Sequence, residues 1–394
     1  MKLRVAPQLS LISVYSATHF LVDFACAFLM FSRVAGTPEG YLCVLLYNFC
    51  AFALQMPFGI VADKVDRNFL VAVLGCLVVG AAYGLVALPL AAVVVIGIGN
   101  AMFHIGGGID VLNVSGKKLG ALGVFVSPGA FGVYLGTMLG KGGGFPALLA
   151  PAALVVAAAA IFLAYRAQRG TYPRNAVFSF EETGGGSIAS PGNAADSFHP
   201  RVATADSNNA EAPAYSSKAE AVARSNASSG ARAVAAAIGC LFLVVCLRSF
   251  VGLSLDFPWK GAGYWGVALI IAVVLGKTLG GFAADRFGPG RTAAFSLGAA
   301  ALLFLFPLVQ PAGLAAVLLF NMTMPITLWA MARVFPGAKG LAFGLLSFGL
   351  FIGFLPVYLS VRIPPAMLGL FAAFAVVSLV LLLAGLRKAK LWQA

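Results

Sequence analysis

The sequence predicts an all-α membrane protein, with twelve transmembrane helices in two pseudo-symmetric six-helix bundles. Three observations lead there. Of 394 residues, 61% are hydrophobic and only 10% charged, with a mean hydropathy of +0.96. A chain this apolar cannot hide its side chains in a water-soluble core, so lipid is the expected solvent. A helix crosses the hydrocarbon with ~20 apolar residues, and the chain divides into twelve such stretches. Finally, the same glycine-to-acid spacing closes a span in each half, as Gly59-Ile-Val-Ala-Asp63-Lys64-Val-Asp66-Arg67 and Gly281-Phe-Ala-Ala-Asp285-Arg286-Phe-Gly288. Duplicated bundles that rock about a midplane site are a common transporter plan, so the chain reads as a carrier and not an enzyme.

The predicted spans run over 11–33, 41–62, 69–88, 91–113, 119–139 and 146–165, then 233–253, 263–284, 292–309, 311–333, 340–360 and 366–387. Lys2 and Arg4 before the first run resemble the start of a signal peptide. The run is too long for a signal core and is interrupted by His19 and Asp23, so it is read as a retained helix. Between Gly170 and Arg232 the apolar pattern gives way to Ser, Ala, Asn and Gly. Such a segment lacks the apolar surface to offset backbone ordering, and mobile coil is expected, with helical turns near Ala219 to Ala223. The organisation is therefore residues 1–169 as one bundle, 170–232 as a flexible cytoplasmic linker, and 233–394 as the second bundle.

Net charge +13 would suggest nucleic acid in a soluble protein. Here the cations alternate with the spans, and basic loops stay in the cytoplasm. Lys64, Arg67, Lys117, Lys118, Arg166, Arg169, Arg286, Arg291, Arg333, Lys339 and Arg387 fall on one face, against chiefly Lys141, Lys260 and Arg362 on the other. Both termini are expected in the cytoplasm of a multi-pass cell-membrane protein, with a bacterial inner membrane as the setting. All six cysteines lie in predicted spans without metal-type spacing and are read as small packing residues.

Gly132, Gly136 and Gly140 recur every four residues and strip one face of the fifth span, which suits either static close packing or a sliding gate. Pro128 and Pro325 each remove a helix hydrogen bond and should bend their spans. The two glycine-to-acid loops resemble the signature that major facilitator superfamily carriers place after their second and eighth spans; the first copy has Asp66 where glycine is usual. That resemblance implies conformation-dependent ion pairs between neighbouring helices for Asp63, Arg67, Asp285 and Arg286, with Gly59 and Gly281 in the same gating loops. Four further patches, Thr18-His19-Phe-Leu-Val-Asp23, Gly97-Ile-Gly-Asn-Ala-Met-Phe-His104, Gly123-Val-Phe-Val-Ser-Pro-Gly-Ala-Phe-Gly132 and Leu247-Arg248-Ser-Phe, resemble the fosmidomycin-resistance branch. Its members resemble proton-driven drug exporters.

Ionisable residues inside spans are costly and are functional candidates by default. They are His19, Asp23, Arg33, His104, Asp110, Arg248 and Lys277, with neutral Asn48, Gln55, Asn100, Asn113 and Asn321 beside them. His19 and Asp23 are four apart and share a helix face roughly 12 to 18 Å along their span. Asn100 and His104 repeat the spacing from the opposite side. The resemblance places spans one, four, seven and ten around a central cavity, which implies convergence of His19, Asp23, Asn100, His104, Arg248 and Asn321. Histidine exchanges protons near neutral pH, so Asp23 with His19 and His104 is read as a proton relay, with helix-to-helix hydrogen bonding as the alternative. Two histidines and an aspartate also suit a metal, but no motif supports one and none is assigned. Arg248, Lys277, Asn100 and Asn321 are assigned to an anionic or polarised substrate, since fixed cations compensate its desolvation. Arg33 and Asp110 lie near span ends and are read as snorkelling.

No nucleotide-binding loop or nucleophile elbow stands in a supporting context. The expectation is a proton-coupled secondary transporter, acting as a monomer without cofactor or nucleic acid, that exports a small anionic or amphiphilic compound. Proton-linked uptake of a metabolite and a non-transporting sensor of the same fold are the alternatives.

Overall fold

A computed structural model describes residues 7–172, 174–175, 215–364 and 367–392. The described residues contain helices and no strand. Six helices form the first half: α1 (Ser10–Val34), α2 (Gly40–Val65), α3 (Asn68–Leu85), α4 (Pro89–Ser115), α5 (Gly120–Gly142) and α6 (Leu149–Ala167). The second half comprises α7 (Gly230–Ser254), α8 (Trp265–Phe287), α9 (Pro289–Leu303), α10 (Gln310–Val334), α11 (Lys339–Tyr358) and α12 (Leu370–Lys388). Eleven are long and apolar enough to cross a membrane unaided by their connectors. The exception, α9, has 15 helical residues before a turn at Phe304, and the predicted 292–309 span included that turn.

Packing repeats between the halves. In the first, α1 lies on α5 and α6, α3 on α4 and α6, and α2 on α4. In the second, α7 lies on α11 and α12, α9 on α10 and α12, and α8 on α10. Across the boundary α2 packs on α11 and α5 on α8. Large apolar side chains such as Phe103, Phe125, Phe304 and Phe371 are fully buried between helices. Others, including Val156, Leu163, Phe295 and Leu308, point outward, as lipid-facing positions must.

The linker expectation needs one correction. Residues 176–214 lie outside the described residues, but from Tyr215 the chain is a single helix to Ser254. The Ala-rich stretch from Lys218 to Ala237 has high helix propensity, and continuity with a membrane helix removes the nucleation cost.

Asp110 is a second correction. It does not snorkel: it is 0% exposed. Tyr15 Oη donates to its Oδ2 at 2.6 Å, Tyr172 Oη donates to the same oxygen, and Asn68 Nδ2 donates to Oδ1 at 3.0 Å. Burial, then the Asp110 charge, raise the Tyr172 phenol well above its usual value, so it remains a donor. Asn175 completes the knot: its Oδ1 accepts from Asn68 and Asn113, and its backbone N–H donates to Asp66. The segment following α6 thus closes one end of the first half. Asp110→Ala removes the acceptor shared by three donors. The Tyr15 and Tyr172 hydroxyls, 2.9 Å apart, can still bond each other and Asn68 keeps Asn175. One or two buried donors are left unfilled, at about 1–3 kcal/mol each. A loss of about 3 kcal/mol is expected, read as a lowered unfolding midpoint in detergent, with Tyr172→Phe showing a smaller drop.

Candidate functional site

The site is organised by a break in α5. Pro128 has no N–H and its ring crowds the preceding turn, so the helix divides into Gly120–Val126 and Pro128–Gly142 at Ser127. Two consecutive carbonyls beside the break accept side chains from different halves. Phe125 O receives His19 Nδ1 of α1 at 2.7 Å, and Val126 O receives Lys277 Nζ of α8 at 3.2 Å. Ser127 Oγ donates to Gly123 O and also meets Thr278 Oγ1 of α8 at 2.7 Å. At Gly129 a Cβ would collide with the Asp23 carboxylate and the His19 ring, so glycine there lets α5 lie directly on that pair.

His19, Asp23 and His104 converge as the helical spacing predicts for each pair, and α4 brings the pairs together. His19 Nε2 is 3.2 Å from Asp23 Oδ2, His104 Nε2 is 3.7 Å from Asp23 Oδ1, and the two Nε2 atoms are 3.0 Å apart. Both histidines are buried. His104 Nδ1 lies 2.9 Å from Asn100 O. A carbonyl oxygen only accepts, so each Nδ1 carries hydrogen, and each neutral ring would present only a lone pair at Nε2. Two lone pairs at 3.0 Å repel. The contact therefore suits a positive species shared by the rings, with Asp23 as its counter-charge. Asn100 Nδ2 donates to Asp23 Oδ1 at 3.1 Å, while Asn100 Oδ1 is buried without a partner among the described residues.

The cations sit apart from this anion. Arg248 is 8% exposed, and its Nη2 donates to Thr323 Oγ1 at 3.2 Å and Thr327 Oγ1 at 2.9 Å on α10. Lys277 lies within electrostatic reach of Asp23, His104 and Arg248. Among the described residues neither cation forms an ion pair with a carboxylate within 4.0 Å. Asn321 stands where α10 breaks before Pro325; its amide donates to Val317 O of its own helix, and its Cβ faces Gly276 of α8. It precedes the Arg248 partner Thr323 by two residues, and its side-chain hydrogen bond goes to Val317 O and not to Arg248. Thr323 and Thr327 went unpredicted because neutral hydroxyls are common in membrane helices; their four-residue spacing beside a proline break was the available signal. Asn48 and Gln55 donate to carbonyls of their own helix, and Arg33 is exposed near the end of α1.

The repeated acids hold the halves together reciprocally. Asp63 of α2 accepts the Gly340 and Leu341 N–H groups at 2.7 and 2.9 Å, capping α11. Asp285 of α8 accepts the Leu119 and Gly120 N–H groups at 2.6 and 2.9 Å, capping α5. A carboxylate at a helix N-terminus neutralises free N–H groups and meets the positive end of the helix dipole. The ion pairs expected of Arg67 and Arg286 do not form among the described residues; backbone caps take their place. Lys339 Nζ reaches Asn113 Oδ1 at 2.8 Å, and Arg333 reaches Gly116 O, so cations of the second half face the C-terminal end of α4. Asp66 takes the left-handed turn normally given to glycine, at φ 50°, where its counterpart Gly288 has φ 86°.

Glycines make these contacts close. A Cβ at Gly59 would strike the Gly340 carbonyl, and one at Gly281 would strike the Leu119 carbonyl. Gly132 and Gly136 are placed differently, against the Phe20 and Phe24 carbonyls of α1 inside the first half. At the far end of the α2–α11 seam Tyr41 and Tyr358 stack at 4.2 Å, and each hydroxyl donates to the other's carbonyl.

No family model matches the chain, and no curated protein matches it in sequence. Solved structures do. The E. coli fucose:proton symporter FucP, a major facilitator superfamily transporter, aligns with TM-score 0.56 at 14% identity over 96% of this chain and 98% of that one. A human organic anion transporter (TETRAN) aligns with TM-score 0.58 at 14% identity, over 95% and 99% of the two chains. A bacterial homologue of the iron transporter ferroportin aligns with TM-score 0.56 at 13% identity, over 97% and 99%. At these identities the likeness shows the fold, which is that of major facilitator superfamily transporters.

Proposed function

We propose that this chain is a secondary active transporter of the major facilitator type that exports a small anionic or amphiphilic compound in exchange for protons. The observation that carries the reading is the separation of charge. Arg248 is buried and Lys277 half-buried, neither with a carboxylate within 4.0 Å among the described residues, while Asp23 is matched to two histidines. Uncompensated buried cations are costly, and an anionic group on the substrate would complete them. A proton is the simplest positive species for the His19–His104 contact. The break in α5 joins the two charges, because adjacent carbonyls hold His19 and Lys277. Substrate that draws Lys277 off Val126 O disturbs the same turn that orients His19.

Duplicated bundles with reciprocal caps suit alternating access. Both termini and the linker lie in the cytoplasm on this reading, by the distribution of basic loops. Uptake with the same proton is the second reading. It is favoured by the similarity in fold to a proton symporter and by Ser127, which stands where the glycine-proline pattern of antiporters has glycine.

Internal pH in inside-out vesicles, energised acidic inside, tests the proposal as phosphonates and amphiphilic drugs are added in turn. Alkalinisation on addition is expected for antiport, and further acidification would establish symport. Arg248→Gln should weaken the response to anionic compounds about tenfold or more, given about 1.5–3 kcal/mol for a charged hydrogen bond, while sparing uncharged amphiphiles. Equal loss for both classes would remove Arg248 from anion recognition.

A further inference from the structure

We propose that His19 Nε2, His104 Nε2 and the Asp23 carboxylate form a binding site for one divalent transition-metal ion such as Zn2+ or Co2+. The inference goes beyond the transport reading and rests on the geometry of the three donors. His19 Nε2 lies 3.0 Å from His104 Nε2 and 3.2 Å from Asp23 Oδ2, and His104 Nε2 lies 3.7 Å from the other carboxylate oxygen, Asp23 Oδ1. One ligand atom from each residue falls within 4.8 Å of the others. An ion bound tetrahedrally at ~2.0–2.1 Å from each ligand sets donor-to-donor distances of about 3.3 Å. The separations from His19 are therefore already near that spacing, and the Asp23 carboxylate closes the set with one oxygen toward each histidine.

Two independent features complete it. Metal-bound histidines almost always donate their other ring N–H to a carbonyl or carboxylate, which fixes the tautomer; here Phe125 O and Asn100 O serve both rings. Asn100, whose Nδ2 is tethered to the Asp23 carboxylate, also leaves its own buried amide oxygen without a partner among the described residues, an uncommitted hard donor on a side chain that already touches the site. Binding uses the Nε2 lone pair of each ring, which the Nδ1 contacts to Phe125 O and Asn100 O leave facing the site. Lys277 is the charged neighbour that opposes it.

Cobalt titration of the purified full chain in detergent tests the site, read by the visible bands of tetrahedral Co2+. One ion per chain is expected, displaced by Zn2+, with affinity at least tenfold weaker in His104→Gln and in Asp23→Asn. Lys277→Gln should bind more tightly. Should either ligand variant fail to fold, the wild type alone decides, because X-ray absorption at the bound Co2+ should show the scattering of two imidazole rings. Absence of the bands, unchanged affinity in folded ligand variants, or a bound ion without imidazole scattering would each overturn the site. Metal binding without substrate-driven pH change would retain the site and remove the coupling reading; the reverse pattern would remove the site alone.

Discussion

Asp23→Asn is expected to abolish uphill transport while leaving substrate exchange intact. Asparagine keeps the size of the side chain and an oxygen facing Asn100, so the α1–α4 contact survives. What it loses is the one carboxylate that, among the described residues, faces the two imidazoles, whose Nε2 atoms lie 3.0 Å apart. Breaking one partner out of a buried charged set costs about 3–5 kcal/mol because the remaining charge is uncompensated. Occupancy of the shared position by a cation should then fall by two orders of magnitude or more. The prediction is read in proteoliposomes as two rates: accumulation driven by a pH gradient, and counterflow between loaded vesicles and labelled substrate at equal pH. Accumulation should vanish and counterflow persist. Undiminished accumulation would exclude Asp23 from coupling, and loss of both rates would make it a folding or substrate residue.

The same contact shows what was legible in the sequence. Each i,i+4 pair, His19 with Asp23 and Asn100 with His104, follows from helix periodicity, and eleven of the twelve described helices follow from apolar length. The meeting of the pairs does not, because it depends on how α4 lies on α1. Less legible still were the backbone partners. Phe125 O and Val126 O act through carbonyls that no residue type encodes; Pro128 marked the bend but not what the bend would hold. Asp110 was misread for a related reason. Its distance from the span end suggested water nearby, whereas Tyr172 and Asn175, far along the chain, return to cover it. The duplicated acids were legible as a repeat, and their partners were not, since a helix N-terminus offers N–H groups whatever its sequence.

Gly340→Val is expected to produce the largest conformational effect, because the α2–α11 seam has no room for a side chain. A Cβ at Gly340 would meet the Gly59 carbonyl and stand 2.9 Å from Asp63 Oδ1. These are backbone and cap atoms, which cannot rotate aside as a flexible side chain would. Overpacking of this kind costs about 1–3 kcal/mol, which converts to roughly a 5- to 150-fold shift between two states at about 1.4 kcal/mol per decade. The state penalised is the one in which Asp63 caps α11, so the seam should open at that end. Spin labels at exposed Lys118 and Pro336, on opposite sides of the boundary, should report a longer distance in Gly340→Val. Asp63→Asn keeps the side chain's size and removes its charge from the helix end, and should shift the same distance less. Gly136→Val makes the contrast. Its Cβ would strike the Phe24 carbonyl within the first half, so it should reduce folded protein without moving the labels. A longer label distance in Gly136→Val, or none in Gly340→Val, would mean that the halves do not part along the α2–α11 seam.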